Sequence, residues 1–186
     1  MKMTDSNYTS ALSLSASIEA GDLPIIELMK TTLDRIDEVN GAVSAIVSIG
    51  DCDTLMSEAQ NVQYSQRKGW LHGIPIAIKD LANAVGFVTT MGSPLFAGEV
   101  AQKDDIVVER LKAAGAIVIG KTNTPEFGLG SHTFNPIFGA TKNPYDQTLS
   151  AGGSSGGAAA ALASGMVSVA DGSDMMGSLR NPAAWN

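Results

Sequence analysis

Gly115-Ala-Ile-Val-Ile-Gly-Lys-Thr122 decides the fold. It matches, letter for letter, the G-x-x-x-x-G-K-[ST] pattern of a phosphate-binding loop. Such a loop follows a strand and opens a helix whose N-terminus holds the phosphates. Here the order is reversed. Ile106, Val107, Arg110 and Leu111 recur at helical spacing behind Asp105, a candidate cap, and Gly115 ends that helix after Ala114. Residues 116–119 then form a short apolar run that predicts a buried strand, and Asn123-Thr-Pro125 follows where a helix start would be needed. The nucleotide-binding reading fails on that order. A helix followed by a strand recurs at 155–164 and 167–168, which predicts an α/β fold: a mixed β-sheet core flanked by helices, with loops at strand ends carrying the chemistry.

Upstream, Ala11, Leu14 and Ile18 predict a helix over residues 9–20 that stops at Gly21. Asp22 is the expected cap of a second helix. Pro24 is tolerated in its first turn, and Ile25, Leu28, Met29, Leu33, Ile36 and Val39 form its packing stripe. Residues 42–49 alternate like a strand, and 54–68 read as an exposed helix ending at Gly69. Residues 74–78 are a short apolar run behind Gly73, a strand in which Pro75 suits a start or an edge. Lys79 closes that run. On its own, such a lysine is either a solvated residue opening a loop or a buried amine whose pKa falls until it can act as a base.

The last third carries Ala151-Gly-Gly-Ser-Ser-Gly-Gly157 and Gly172-Ser-Asp-Met-Met-Gly-Ser-Leu-Arg180. Glycines bracketing serines leave backbone N–H groups uncovered and let the chain pass close to a reacting group. Taken alone, the first piece fits a nucleophile loop or a flexible Gly/Ser segment. His72 and His132 belong to no second motif and read as loop histidines, and Cys and His have no metal-binding spacing.

Read together with Gly73-Ile-Pro-Ile-Ala-Ile-Lys-Asp80, the two serine stretches resemble the amidase signature family, serine hydrolases with a Ser-cisSer-Lys triad. Gly115–Gly128 and Asn135-Pro-Ile-Phe-Gly-Ala-Thr-Lys-Asn-Pro144 extend the resemblance, which runs from about Leu23 to the end of the chain. It implies that Lys79, Ser154 and Ser178 form the triad and that a cis peptide leads into Ser154. It further implies an oxyanion hole from the N–H groups of Met175, Met176, Gly177 and Ser178, and support from Ser155 and an Asp174–Arg180 ion pair. Gly128, Leu129, Gly130 and Ser131 lie where family members shape the acyl pocket. The family's first glycine before the nucleophile is Met176 here, and a positive φ at that position would strain a methionine.

The resemblance implies hydrolysis of a small-molecule carboxamide through a seryl acyl-enzyme, with no cofactor and no metal. The alternatives are the amidase subunit of a glutamine-dependent aminoacyl-tRNA amidotransferase and an inactive fragment; Thr124-Pro-Glu-Phe-Gly128 looks more like the free-standing members. Family domains are longer, so residues 1–186 read as one domain, the N-terminal portion of a catalytic domain truncated just past its nucleophile. A homodimer or a completing C-terminal polypeptide is the expected partner, and the isolated chain is expected to be inactive.

Composition agrees. With 186 residues, 44% hydrophobic and 17% charged, the chain suffices for a sizeable core. Its net charge of −7, with scattered basic residues, argues against nucleic acid or an anionic membrane as direct partners. One cysteine, a polar N-terminus and no apolar run near membrane length predict a cytoplasmic protein.

Overall fold

The computed structural model describes residues 8–186; the polar start at residues 1–6 lies outside them. Its centre is a pair of parallel strands, β2 (Pro75–Lys79) and β3 (Ile117–Thr122), every residue of which is buried. Strands covered on both faces need apolar side chains in both directions, which is why Ile-Ala-Ile and Ile-Val-Ile read as continuous runs. Ile76, Ile78 and Val118 point to one face, with Leu14, Leu71 and Val108. Ala77, Ile117 and Ile119 point to the other, with Met29, Ile36, Leu55 and Ala160.

β1 (Ile46–Ile49) pairs antiparallel with β3, and β6 (Val169–Ala170) pairs parallel with β2, giving the order β1-β3-β2-β6. A two-stranded ribbon of β4 (Phe134–Asn135) and β5 (Gly139–Ala140) stands apart. The helices are α1 (Ala11–Ala20), α2 (Ile25–Val43), α3 (Cys52–Gln63), α4 (Ile106–Ala113), α5 (Gly156–Ala163) and α6 (Arg180–Trp185). None is long and apolar enough to cross a membrane, among the described residues.

Several boundaries move from their expected places, each for a local reason. Asp22 does not cap α2: the helix starts behind an extended Pro24, and the distant Gln63 Oε1 accepts the Ile25 N–H. α2 runs on to Val43, where Ser44 turns left-handed, so the strand expected over 42–49 shortens to β1. α3 begins earlier because Asp51 accepts the Thr54 N–H at 2.9 Å, and it ends at Gln63 rather than near Gly69. Asp105 precedes α4, but its side chain accepts the Asn83 N–H instead of capping. Ladder bonds on both sides carry β3 through Gly120, Lys121 and Thr122, past the end of its apolar run. The strand expected at 167–168 forms two residues later, as Val169–Ala170 opposite Ile76 and Ala77. Pro75 is the first residue of a central strand, not part of an edge.

Gly157, in the first turn of α5, shows how tightly the serine loop is seated. A Cβ there would lie 2.3 Å from the Asn123 N and 2.8 Å from the Ala45 O, both backbone atoms held in place by the end of the sheet. Gly157→Ala is therefore expected to cost about 2 kcal/mol or more, the scale of an overpacked core. Gly41→Ala, inside α2 with nothing near the added carbon, is expected to stabilise by about 0.5–1 kcal/mol. Urea unfolding midpoints of the two variants check the pair, which should move in opposite directions.

Candidate active site

Parallel strands end on the same side, so their C-terminal ends deliver residues to one place. β2 ends in Lys79, and the chain leaving β6 runs through Asp171, Gly172 and Ser173 beside it. The loop before α5 brings Ser154 and Ser155. Lys79 is 2% exposed, and its Nζ donates to Ser154 Oγ at 2.7 Å, Ser155 Oγ at 2.9 Å and Ser173 Oγ at 3.1 Å. An ammonium has three protons for three hydroxyls; a neutral amine keeps two and turns its lone pair to one hydroxyl proton. Burial lowers the Lys79 pKa to about 8 against the opposing charges of Asp171 and Asp174.

The Gly153–Ser154 peptide is cis. Ser155 ties the two serine stretches together. Its N–H donates to the Ser178 O at 3.0 Å, its Oγ donates to the Ser173 O, and its Oγ accepts the Ser173 N–H, both at 3.3 Å. Thr133 backs the loop by accepting the Gly156 N–H at 3.0 Å.

Ser178 stands half-buried in the same cleft as Ser154. Among the described residues its Oγ makes no hydrogen bond, so Lys79, Ser154, Ser155 and Ser173 form one side-chain cluster to which Ser178 is joined through its backbone O alone. The loop that carries Ser178 is built around Asp174. Its carboxylate accepts the Gly177 N–H at 2.7 Å, the Leu179 N–H at 3.0 Å and the Arg180 N–H at 3.1 Å, and pairs with the Arg180 guanidinium at 2.8 and 3.0 Å. The guanidinium and these N–H groups hold the Asp174 carboxyl well below the usual carboxylate range.

Two expectations change in this loop. The positive φ falls on Gly177, at 106°, while Met176 is not among the left-handed residues, so the methionine carries none of the strain foreseen for it. The Gly177 N–H points to Asp174 and is thereby committed. Met175, Met176 and Ser178 keep N–H groups with no hydrogen bond among the described residues, while the Met175 and Met176 side chains are 85% and 87% exposed.

Those methionines line a cleft of about 620 Å³ together with Leu81, Phe127, Leu129, Ser154 and Ser178. Gly128, Gly130 and Ser131 complete its wall. No cluster of His, Cys, Asp or Glu among the described residues is placed to hold a metal ion. His72 is buried in the turn before β2, where its Nδ1 accepts the Lys68 N–H, and the exposed His132 lies 3.2 Å from Ser150 Oγ. Neither ring bonds to the serine cluster.

Sequence reasoning passed over Asp171, Ser173 and Lys121. Asp171 Oδ1 accepts the Lys79 N–H. Lys121, from the stretch that mimics a phosphate loop, is fully buried; it donates to the Ala82 O at 2.6 Å and Thr89 Oγ1 at 2.9 Å and pairs with Asp80 at 3.4 Å. The signal was available, since Lys121 continues an apolar strand just as Lys79 does.

The comparisons with known proteins fit this geometry. A family model described as Amidase matches residues 27–186. A glutamyl-tRNA(Gln) amidotransferase subunit of Corynebacterium jeikeium is 41% identical, aligned over 97% of this chain and 37% of its own length. An acylamidase of Rhodococcus erythropolis is 40% identical over 98% of this chain and 39% of its own. The crystal structure of a bacterial aryl acylamidase of the amidase signature family superposes with a TM-score of 0.89 at 31% identity, covering 96% of this chain and 38% of that one. The chain thus spans under two-fifths of the length of each of these three relatives. With its model matched from Glu27 to the last residue and an amidase signature sheet beneath it, the chain belongs to the Amidase family.

Proposed function

We propose that these residues carry the reacting groups of a serine amidohydrolase, which cleaves a carboxamide to a carboxylate and ammonia or an amine. The observation that carries the reading is the 2.7 Å contact between a buried, pKa-lowered Lys79 and Ser154. Neutral Lys79 takes the proton of Ser154, Ser154 takes that of Ser178, and the freed Ser178 oxygen attacks the amide carbonyl. The carbonyl oxygen, now negative, is received by the N–H groups of Met175, Met176 and Ser178; one such donor commonly contributes about 3–4 kcal/mol. Returning along the same hydroxyls, the proton reaches the leaving nitrogen, and water repeats the sequence on the acyl-enzyme. The link from Ser178 to Ser154 closes on substrate binding in this scheme, as catalytic hydrogen bonds often tighten only in the complex.

The substrate is an amide with an uncharged, apolar acyl group. Leu81, Phe127, Leu129, Met175 and Met176 offer it apolar surface, beside the polar Ser131, Ser173, Asp174 and Asn181 of the same cleft. A second reading, the amidase component of a tRNA-dependent amidotransferase, is favoured by the 41% identity to such a protein. Ammonia release by the full-length protein separates the two: hexanamide should be turned over in preference to glutamine, and a strict glutamine requirement would establish the second.

In the full-length protein, Ser178→Ala is expected to abolish turnover, and Lys79→Ala and Ser154→Ala to lower kcat by about 10³-fold or more, because the three act as one proton-transfer unit. Mass spectrometry after fluorophosphonate treatment should find the label on Ser178. Label on Ser154 or Ser155 would overturn the assignment.

The pH dependence follows from the amine. It works neutral, so activity should rise through about pH 8 and fall about tenfold per unit well below that point. Replacing His72 and His132 together should leave this limb in place. A limb that moved with the histidines would exclude Lys79 as the base.

A further inference from the structure

We propose that Asp171 is a positioning residue for the amide-hydrolysis reaction: its carboxylate fixes the main chain of Lys79 at the end of β2 and supplies the negative charge that balances the Lys79 amine when it holds a proton. This inference rests on the reading of Lys79 as the base.

The geometry begins where β6 leaves the sheet. Ala77 pairs with Ala170, and one residue on, the Asp171 N–H donates to the Ala77 O at 3.3 Å. The next ladder bond would be a backbone carbonyl of the β6 strand accepting the Lys79 N–H. The Asp171 side chain takes that place with its Oδ1, which frees the backbone to turn away. Two residues later Ser173 reaches Lys79 Nζ, and Asp174 opens the nucleophile loop. Asp171 therefore clamps β2 at the point where the chain diverges towards Ser178.

Its charge is also placed differently from those around it. The groups facing Lys79 are Ser154 and Ser155 from the loop before α5, Asp171, Ser173 and Asp174 from the chain after β6, and Asp80 and Lys121 at the ends of β2 and β3. Asp80 is committed to Lys121 and to Thr90, whose N–H and Oγ1 both donate to it. Asp174 is committed to Arg180 and three backbone N–H groups. Among the described residues, the Asp171 carboxylate accepts from the Lys79 N–H and from its own N–H and forms no salt bridge. Burial pushes the Asp171 carboxyl up, against that N–H and the charges of Lys121 and Lys79. In return its negative charge is the largest influence opposing the burial that lowers the Lys79 amine. A base at the end of an apolar strand needs such a counter-charge, or desolvation leaves it too weak to draw a proton from a hydroxyl.

The test separates clamp from charge in the full-length protein. Asp171→Asn keeps an oxygen for the Lys79 N–H and removes the charge; Asp171→Leu removes both; Asp171→Glu keeps the charge. In Asp171→Asn the acid limb of kcat/KM should move about one pH unit lower, the scale of a lost neighbouring charge, with kcat on the plateau reduced. Asp171→Leu should show the same displacement with a further loss of kcat, and Asp171→Glu should bring the limb back. Lys79 is followed independently by NMR of [13Cε]lysine, its signal assigned as the one absent from Lys79→Arg, and its midpoint should fall in step. An unmoved Lys79 midpoint in Asp171→Asn overturns the proposal, whatever happens to kcat. A midpoint that moves while the limb stays sustains the role of Asp171 and overturns Lys79 as the base. If Asp171→Asn does not fold, Asp171→Ser, which also retains an acceptor oxygen, is read by the same two measurements.

Discussion

A lysine amine withdrawn from water at the end of a buried strand is the constraint to which the surrounding structure answers. Burying an ammonium without partners is prohibitive, so the group must be surrounded by acceptors, lose its proton, or both. Three hydroxyls from two different loops meet Lys79 Nζ, and they can do so only because β2 is central and both neighbouring strands run parallel to it. The sheet therefore does more than support the site. Its parallel pairing is what brings the ends of β2, β3 and β6 to one side, and the apolar packing on both faces is what keeps water from the amine.

Lys121 provides the internal comparison. It lies at the end of β3, across from Ile78, in nearly the same apolar setting, yet it meets a carboxylate, a carbonyl and a threonine rather than a set of serines. Burial lowers the Lys121 amine as well, against the charge of Asp80, and its bonds hold the chain after β2. Asp80 and Ala82, the groups it binds, flank Leu81, which forms part of the cleft wall. Two buried lysines on adjacent strands thus meet different partners: Lys79 three serine hydroxyls, Lys121 a carboxylate, a carbonyl and a threonine hydroxyl.

Much of this was legible in the sequence because it depends on local pattern. The helices of apolar spacing, the two buried strands and the rejection of a phosphate loop at residues 115–122 all follow from periodicity and from the order of elements. The parts that escaped depend on long-range partners. Gln63 reaching Ile25, Asn83 taking Asp105, and the ladder bonds extending β3 across Lys121 join residues far apart in the chain, and no window of sequence contains both ends. Asp171 escaped for the same reason: beside Ser173 and Asp174 it looks like one more polar loop residue. Only the pairing of Ala77 with Ala170 puts its carboxylate against Lys79.

The methionine pair illustrates how a departure from a motif can be absorbed. What the loop needs at positive φ is one glycine, and Gly177 provides it, with Asp174 holding its N–H. Met176 then sits in ordinary backbone geometry, and its side chain, with that of Met175, projects into the cleft instead of straining the turn. A flexible, polarizable thioether adapts to irregular apolar shapes better than a branched side chain would. Glycine at either position would leave a wider and more polar opening, lined by bare backbone. The departure from the motif therefore leaves the loop's hydrogen bonding intact and acts on the volume of the cleft beside Ser178.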